Sequence, residues 1–386
     1  MKPNQKFDVA IIGAGVIGCS VAYYLCQCGI TNIILIEKEA FPGTGSTSKA
    51  FGGIRAQFTT AANIRMSLLS MKLLEKMDDE MQSQAGYVRA GYLFVTAEKS
   101  NFEQLQQLMA FQKSLGADVE PITVAEIRQR FPYVRADDLL GGSFGKRDGF
   151  IDPGGLTNAF YTRALSRGAR ALVDTRVTGL QKSSARITGV ETDKGVIQAE
   201  YVVNAAGPYA AEIARYAGLD LPVQPVRTNI AVSGPTPDWP RLIPMTIDLD
   251  TRLVIRREGE GVGFAWSDPN EPPGFLSQFN PDYIEQIAPK IERRYPNLME
   301  AGINFSKCWA GLYPETPDHH AILGESGIPG FLLAVGLGGH GIMHSPSVGC
   351  AISELIATGK VTSVDVSPFR LKRIESGELN LEGAVL

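Results

Sequence analysis

Residue types and spacing first suggest chemistry at Gly13-Ala14-Gly15-Val16-Ile17-Gly18, followed about twenty residues later by Glu37. In a G-x-G-x-x-G turn the first glycine permits the tight turn and the second lets a pyrophosphate lie against the backbone. The third lets helix and strand pack closely. An acid at the distance of Glu37 accepts hydrogen bonds from a ribose diol. It suits an unphosphorylated ribose, so FAD or NAD rather than NADP. Downstream, Phe51-Gly52-Gly53-Ile54-Arg55-Ala56-Gln57-Phe58 sets a cation behind paired glycines. Such an arginine is ordinarily a surface or salt-bridged residue; inside a site it would be a fixed cation. A second glycine-rich stretch, Gly336-Leu337-Gly338-Gly339-His340-Gly341-Ile342-Met343, carries a histidine that reads as a cofactor neighbour before it reads as an acid or base.

Regular elements must hold these residues. Val9-Ala10-Ile11-Ile12 is apolar at every position, as in a strand buried on both faces of a parallel sheet. After the glycines, Ala22, Leu25 and Cys26 mark a helix that ends near Gly29, and Ile33-Ile34-Leu35-Ile36 reads as a strand running into Glu37. The glycines alone would be weak, but strand, turn, helix, strand and acid fall in order, and that order specifies dinucleotide binding. The helix N-terminus offers unpaired amides and a positive dipole end to phosphates. Residues 42–49 are small and polar and could continue the cradle, and Tyr201 to Gly207 reads as a buried strand ending on Ala205, Ala206 and Gly207, where backbone can lie against a cofactor. Phe331-Leu332-Leu333-Ala334-Val335 is another buried strand, and a helix is expected from about Pro346 to Ala357. A second turn of this kind favours negative charge on a reduced flavin, a device a nicotinamide enzyme does not need, and this selects FAD.

The chain has 386 residues, 44% hydrophobic and 20% charged, enough for two domains and a sizeable core. A net charge of −4 without a basic cluster argues against a nucleic-acid surface. Five cysteines with no C-x-x-C pair argue against a metal or redox site and fit a reducing cytoplasm. No apolar run reaches the roughly 18 residues of a membrane span, and the glycine-broken N-terminal stretch reads as a strand rather than a signal peptide. Ile64, Leu68, Met71, Leu74 and Met77 form a helical stripe over 61–81, residues 91–95 read as a strand and 102–115 as an amphipathic helix. Thr123 and Glu126 form a capping box for a short helix. Residues 187–197 read as a hairpin, and 252–256 and 263–266 as paired strands.

On the segments Gly13 to Lys38, Gly45 to Phe58, Asn204 to Gly207 and Trp309 to Met343, the chain resembles the D-amino-acid oxidase family of FAD-dependent oxidoreductases, especially sarcosine oxidase (β subunit of the multimeric form), glycine oxidase and related amino-acid dehydrogenases. The resemblance implies an α/β fold: a Rossmann-like FAD-binding domain (1–85, 148–220 and 305–386) and a discontinuous α+β substrate domain on a mostly antiparallel sheet (86–147 and 221–304). It implies that Gly13, Gly15, Val16, Ile17, Gly18, Glu37, Lys38, Gly45, Ser46 and Thr47 hold adenosine and pyrophosphate, with Val177 giving backbone contacts to adenine. Ala205, Ala206 and Gly207 would lie along the cofactor, and Gly311, Gly338, Gly339, His340, Gly341 and Ile342 would border the isoalloxazine. Arg55 lines up with the arginine that grips the substrate carboxylate in sarcosine oxidase.

Departures from the family sharpen the expectation. Gly311 stands where monomeric sarcosine oxidase has its tethering cysteine, and Lys49 where dimethylglycine dehydrogenase has its tethering histidine, so FAD is expected to be non-covalent. Met343 replaces the lysine expected three residues after His340, and Tyr313 replaces an arginine of glycine oxidases, so the substrate need not be sarcosine or glycine.

The implied reaction oxidises the amine carbon of a small amino acid or N-alkyl amino acid (sarcosine, proline, glycine or D-amino-acid type). Hydride passes to flavin N5 and an imino acid results. Arg55 would hold the carboxylate, and Tyr313 would hydrogen-bond it or the amine. Oxygen, a quinone or a protein would accept the electrons. A dehydrogenase is favoured because Gly261-Val262-Gly263-Phe264-Ala265-Trp266 lacks the lysine that assists oxygen in sarcosine oxidases, with Arg256 as a possible substitute. The alternatives are a 2-hydroxy-acid dehydrogenase, a flavoprotein needing a partner subunit, and a plain NAD dehydrogenase.

Overall fold

The computed structural model describes residues 6–81 and 86–383, with 78–81 described through their backbone alone. In chain order come β1 (Lys6–Ile12), α1 (Val16–Gln27), β2 (Ile33–Ile36), β3 (Gly53–Ile54) and α2 (Ala61–Met81). Next are β4 (Tyr92–Thr96), α3 (Lys99–Ser114), β5 (Val119–Ile122), α4 (Val124–Arg130), β6 (Gly141–Gly145) and β7 (Gly149–Phe150). Then follow α5 (Pro153–Ser166), β8 (Arg170–Leu172), β9 (Val177–Ser183), β10 (Arg186–Thr192), β11 (Gly195–Asn204) and α6 (Ala210–Ala217). The second half holds β12 (Gln224–Val232), β13 (Met245–Asp248), β14 (Leu253–Glu258), β15 (Gly261–Ala265) and α7 (Tyr283–Arg294). It closes with β16 (Trp309–Glu315), β17 (Ile322–Glu325), β18 (Phe331–Val335), α8 (Gly341–Thr358) and α9 (Lys372–Glu375).

The first sheet has the order β17-β18-β11-β1-β2-β8, with β1 parallel to both β2 and β11. Its apolar strands are apolar at every position because both faces are covered. Val9 and Ile11 join the core formed with α1, α2, α5 and α8, while Ala10 and Ile12 join the one formed with α6 and the β9–β10 hairpin. This is a Rossmann-type layer, as the sequence implies. Two local readings change. The expected hairpin forms from β10 and β11, but its second arm and the following strand are one strand, β11, whose first half pairs with β10 and whose last residues pair with β18. α8 begins at Gly341, five residues before the expected Pro346. Pro346 cannot donate to the Ile342 carbonyl, and the Ser345 hydroxyl donates there instead (2.9 Å), so the helix runs through the proline.

The second sheet, β16-β12-β15-β14-β13-β4-β6-β5, is antiparallel except where β13 runs parallel to β4. Its strands alternate. Leu93, Val95, Leu253 and Ile255 face α4 and α7 in one core. Tyr92, Phe94, Val254 and Ala265 face the opposite way, into a second core that also holds Leu105 and Met109 of α3. The capping box forms as expected, with the Glu126 amide on Thr123 Oγ1 and the Thr123 amide on the Glu126 carboxylate. β16 lies within 305–386, the stretch assigned by sequence to FAD binding, yet it pairs with β12 at the edge of this second sheet. A short pair, β3 with β7, joins the two layers beside Arg55.

Among the described residues, no helix is long and apolar enough to cross a membrane, and no group of acidic, histidine or cysteine side chains could hold a metal ion.

Candidate active site

A cleft of about 450 Å³ lies between the two sheets. At one end the walls are mainly backbone. Gly13 takes φ +99°, and a Cβ there would sit 2.5 Å from the Ala205 carbonyl oxygen, so the β1–α1 turn and the end of β11 meet with no room for a side chain. Gly15 caps α1 without a side-chain acceptor of its own, and the first turn holds no acid, leaving the dipole end and the amides beyond Val16 for an anion. Thr47 Oγ1 accepts from the Val16 amide (3.1 Å), tying the small-residue loop to the same turn. Glu37, at the end of β2, takes the Ala14 amide (2.8 Å) and lines the cleft, as do Lys38, Gly45, Ser46 and Val177.

Of the residues expected at the cofactor, Gly18 alone does not line the cleft. A Cβ there would lie 1.9 Å from the Gly13 carbonyl oxygen, so Gly18 serves helix–strand packing and acts on the ligand only through the turn it permits. Beyond the adenosine end, a wall that the sequence does not announce is built from Tyr209, with Lys38 Nζ 3.6 Å from its ring centre and Phe275 stacked on it at 4.8 Å.

At the other end a second uncapped helix N-terminus, that of α8, brings Gly338, Gly339, His340, Gly341 and Ile342 to the cleft. Gly311 and Lys49 are neighbours there: a Cβ on Gly311 would lie 2.7 Å from that of Lys49. Fit to FAD therefore rests on this structure itself. A cradle closed to side chains at Gly13, two open helix N-termini and an acid at the end of β2 share one elongated cleft.

Arg55 is buried at the same end, 2% exposed, with its guanidinium 4.1 Å from the centre of the Phe58 ring and Nη1 donating to the Gln57 carbonyl. Burial pulls the guanidinium below its ordinary pKa, and the charge on Glu382 and Asp148 opposes that pull. Asp148 accepts from the Ala56 amide and from Gln57 Nε2 (both 3.0 Å), and Ser143 donates to Gln57 Oε1 (2.6 Å). Burial pushes the Asp148 carboxyl up to about 6. Tyr313 lines the cleft opposite, its hydroxyl pushed up to about 12 by burial and then by Glu315, so it stays a donor. His340 packs edge-on to Phe58 (4.9 Å), and burial followed by the charge of Arg55 drives its pKa far below that of a free imidazole.

The roof over this end comes from the second sheet: Tyr92, Met245, Val254 and Ala265. None was identified from sequence as a site residue. The alternation of β4 marks Tyr92 as facing one side, but nothing local says which side carries the ligand. Arg256 does not line the cleft; it donates to the Phe51 carbonyl (2.6 Å) and to Glu258 (2.5 Å).

Known proteins resemble this chain across the site. "FAD-dependent oxidoreductase domain-containing protein 1" of Xenopus laevis is 28% identical over 98% of this chain and 85% of its own length. Mitochondrial dimethylglycine dehydrogenase of Rattus norvegicus is 28% identical over 92% of this chain, which spans only 44% of that protein. The crystal structure of L-proline dehydrogenase from P. horikoshii superposes with a TM-score of 0.91 at 28% identity, covering 97% of this chain and 100% of that one. Residues 8–355 match the family model DAO, FAD dependent oxidoreductase. With that match running from β1 into α8 and through both walls of the cleft, the chain belongs to the DAO family and is an FAD-dependent oxidoreductase.

Proposed function

We propose that this protein oxidises the amine carbon of a small amino acid or N-alkyl amino acid whose carboxylate is held by Arg55, with FAD bound non-covalently. The observation that carries this reading is the position of charge in the cleft. The buried Arg55 lines the substrate end, whereas the acids that line the cleft lie elsewhere, Glu37 and Glu39 just after β2 of the nucleotide-binding sheet and Glu212 on its α6 cover. An anionic group therefore has a fixed charged partner, whereas among the described residues no carboxylate lines that end to hold an ammonium group. The amine binds neutral, having left its proton in solvent, so the protein needs no base to take it.

FAD held in this cleft would supply the acceptor for the hydride that leaves the substrate carbon. The side chains orient and exclude. Arg55 offers a planar fork to the carboxylate. Tyr313 keeps its proton and can donate to the carboxylate or accept from the amine. His340 stays neutral against Phe58 and is a neighbour of the reacting groups, poorly suited to act as a base. Met245, Val254 and Ala265 keep the roof apolar, which limits water at the substrate carbon.

Non-covalent attachment is supported by the pairing of Gly311 with Lys49 and by the lack of a cysteine among the residues lining the cleft. A dehydrogenase is favoured over an oxidase because β15 presents no cation and Arg256 is committed to Phe51 and Glu258. Several similar proteins are named for amine substrates, among them L-proline dehydrogenase and dimethylglycine dehydrogenase, which supports an amine over a 2-hydroxy acid. The test is anaerobic bleaching of the flavin against amino acids, N-methyl amino acids and 2-hydroxy acids. Bleaching by amines is expected; bleaching by hydroxy acids alone would overturn the proposal. Acid precipitation should leave the yellow colour in solution.

A further inference from the structure

We propose that Glu382, in the segment that follows α9, is a positioning residue for the carboxylate site. This rests on the reading of Arg55 as the carboxylate anchor. Glu382 is far from the glycine motifs in sequence and is 2% exposed in the fold. Its carboxylate accepts from five donors in one short stretch: the Thr59 amide (2.8 Å) and hydroxyl (2.5 Å), the Thr60 amide (3.3 Å) and hydroxyl (2.7 Å), and Asn63 Nδ2 (2.9 Å). Thr59 and Thr60 connect Phe58 to the first turn of α2. Phe58 in turn lies under the Arg55 guanidinium and touches the His340 ring.

The clamp is itself anchored. The Glu382 amide donates to the Asp318 carbonyl (3.2 Å), and the Gly383 amide to Thr59 Oγ1 (2.8 Å). Asp318 is gripped through both carboxylate oxygens by Arg373 of α9 (2.8 and 2.9 Å). A line of bonds thus runs from α9 through Asp318 and Glu382 to the loop that carries Arg55. Asp148 holds the same loop from the other side through Ala56 and Gln57. The two carboxylates bracket Arg55, and each opposes the loss of its charge on burial. Five donors suit an acceptor-only carboxylate; an amide of the same shape would turn an N–H toward one set of them.

Glu382→Gln is the informative variant, with Thr60→Val approaching the contact from the other side and Arg55→Ala as reference. The probes are 2-furoate, a small monocarboxylate, and its uncharged analogue 2-furamide, each titrated by perturbation of the flavin spectrum. We expect Glu382→Gln and Thr60→Val to weaken 2-furoate by about tenfold, a difference near 1.4 kcal/mol, and to leave 2-furamide and FAD content nearly unchanged. Peptides spanning 55–63 should exchange amide hydrogens faster in both variants. Equal loss of both probes, or loss of FAD, would mean general disruption and overturn the proposal. Parent-like 2-furoate binding in Glu382→Gln beside its loss in Arg55→Ala would overturn the role of Glu382 and leave Arg55 standing. Parent-like binding in Arg55→Ala would overturn the underlying reading itself.

Discussion

At the nucleotide end of the cleft the groups that face the ligand are largely backbone, supplied by turns at the ends of neighbouring parallel strands. At the substrate end they are side chains drawn from segments far apart in sequence: Arg55 after β3, Tyr92 on β4, Val254 on β14, Tyr313 on β16 and His340 before α8. Each construction has its own point of failure. A backbone cradle fails when a side chain intrudes on it, and fails completely. A side-chain site fails in increments, because each member contributes one interaction that another element supports.

The largest effect should therefore come at the backbone end. Gly18→Ala puts a Cβ 1.9 Å from the Gly13 carbonyl oxygen, so the turn and α1 cannot both keep their places. Purified Gly18→Ala protein is expected to carry little or no FAD, read from the ratio of flavin to protein absorbance. Full flavin content would show that the turn is more compliant than its close approach implies.

Next in size is Asp148, the buried support of the Arg55 loop. Its carboxyl lies near 6 in the fold against an ordinary value of 3.8. The folded protein thus holds this proton more tightly than the unfolded chain does. The resulting stabilisation is fully present below about pH 4 and is lost as the pH rises through 6. The parent should lose up to about 3 kcal/mol relative to Asp148→Asn across that window, measured as the difference of two denaturation curves at each pH. A constant difference from pH 4 to 7 would mean that Asp148 is not the titrating group.

Arg55→Ala should weaken carboxylate ligands by about ten- to a hundredfold, from a charge-assisted bond of about 1.5–3 kcal/mol, with FAD content unchanged. Arg55→Lys keeps the charge but loses the planar fork, and should remain impaired. If flavin content fell together with ligand affinity, the two ends of the cleft would not be separable in the way argued above.

The smallest effect is expected at His340. Burial and Arg55 hold its ring neutral, so it has no charge to lose near neutral pH. His340→Gln should change kcat by less than about fivefold and leave the shape of the pH profile unaltered. A limb of the profile that disappears in the variant would assign it proton transfer.

The contrast between the ends also explains what could be read in advance. β1, the first glycine turn, α1, β2 and Glu37 are contiguous, and their order carries their geometry. The second turn was legible as glycine next to a buried strand, but its helix was read as starting at Pro346, because a proline ordinarily opens a helix and the Ser345 hydroxyl that replaces the missing donor is not a recognisable signal. Arg55 emerged through resemblance and not through periodicity. Neither Asp148 nor Glu382 was singled out from the sequence. Each acts on Arg55 through hydrogen bonds to a loop 92 to 323 positions away, as the separations from Ala56 and Thr59 show.

By itself, then, the sequence determined the parallel layer and the dinucleotide cradle, because strand burial, turn glycines and helix dipole are properties of a few dozen neighbouring residues. Only the tertiary structure decided which face of the second sheet roofs the cleft, since alternation along a strand is symmetric until something packs against one side. It alone brought Asp148 and Glu382 to either side of Arg55, because a buried cation takes its supporting partners from whatever segments the fold has already delivered.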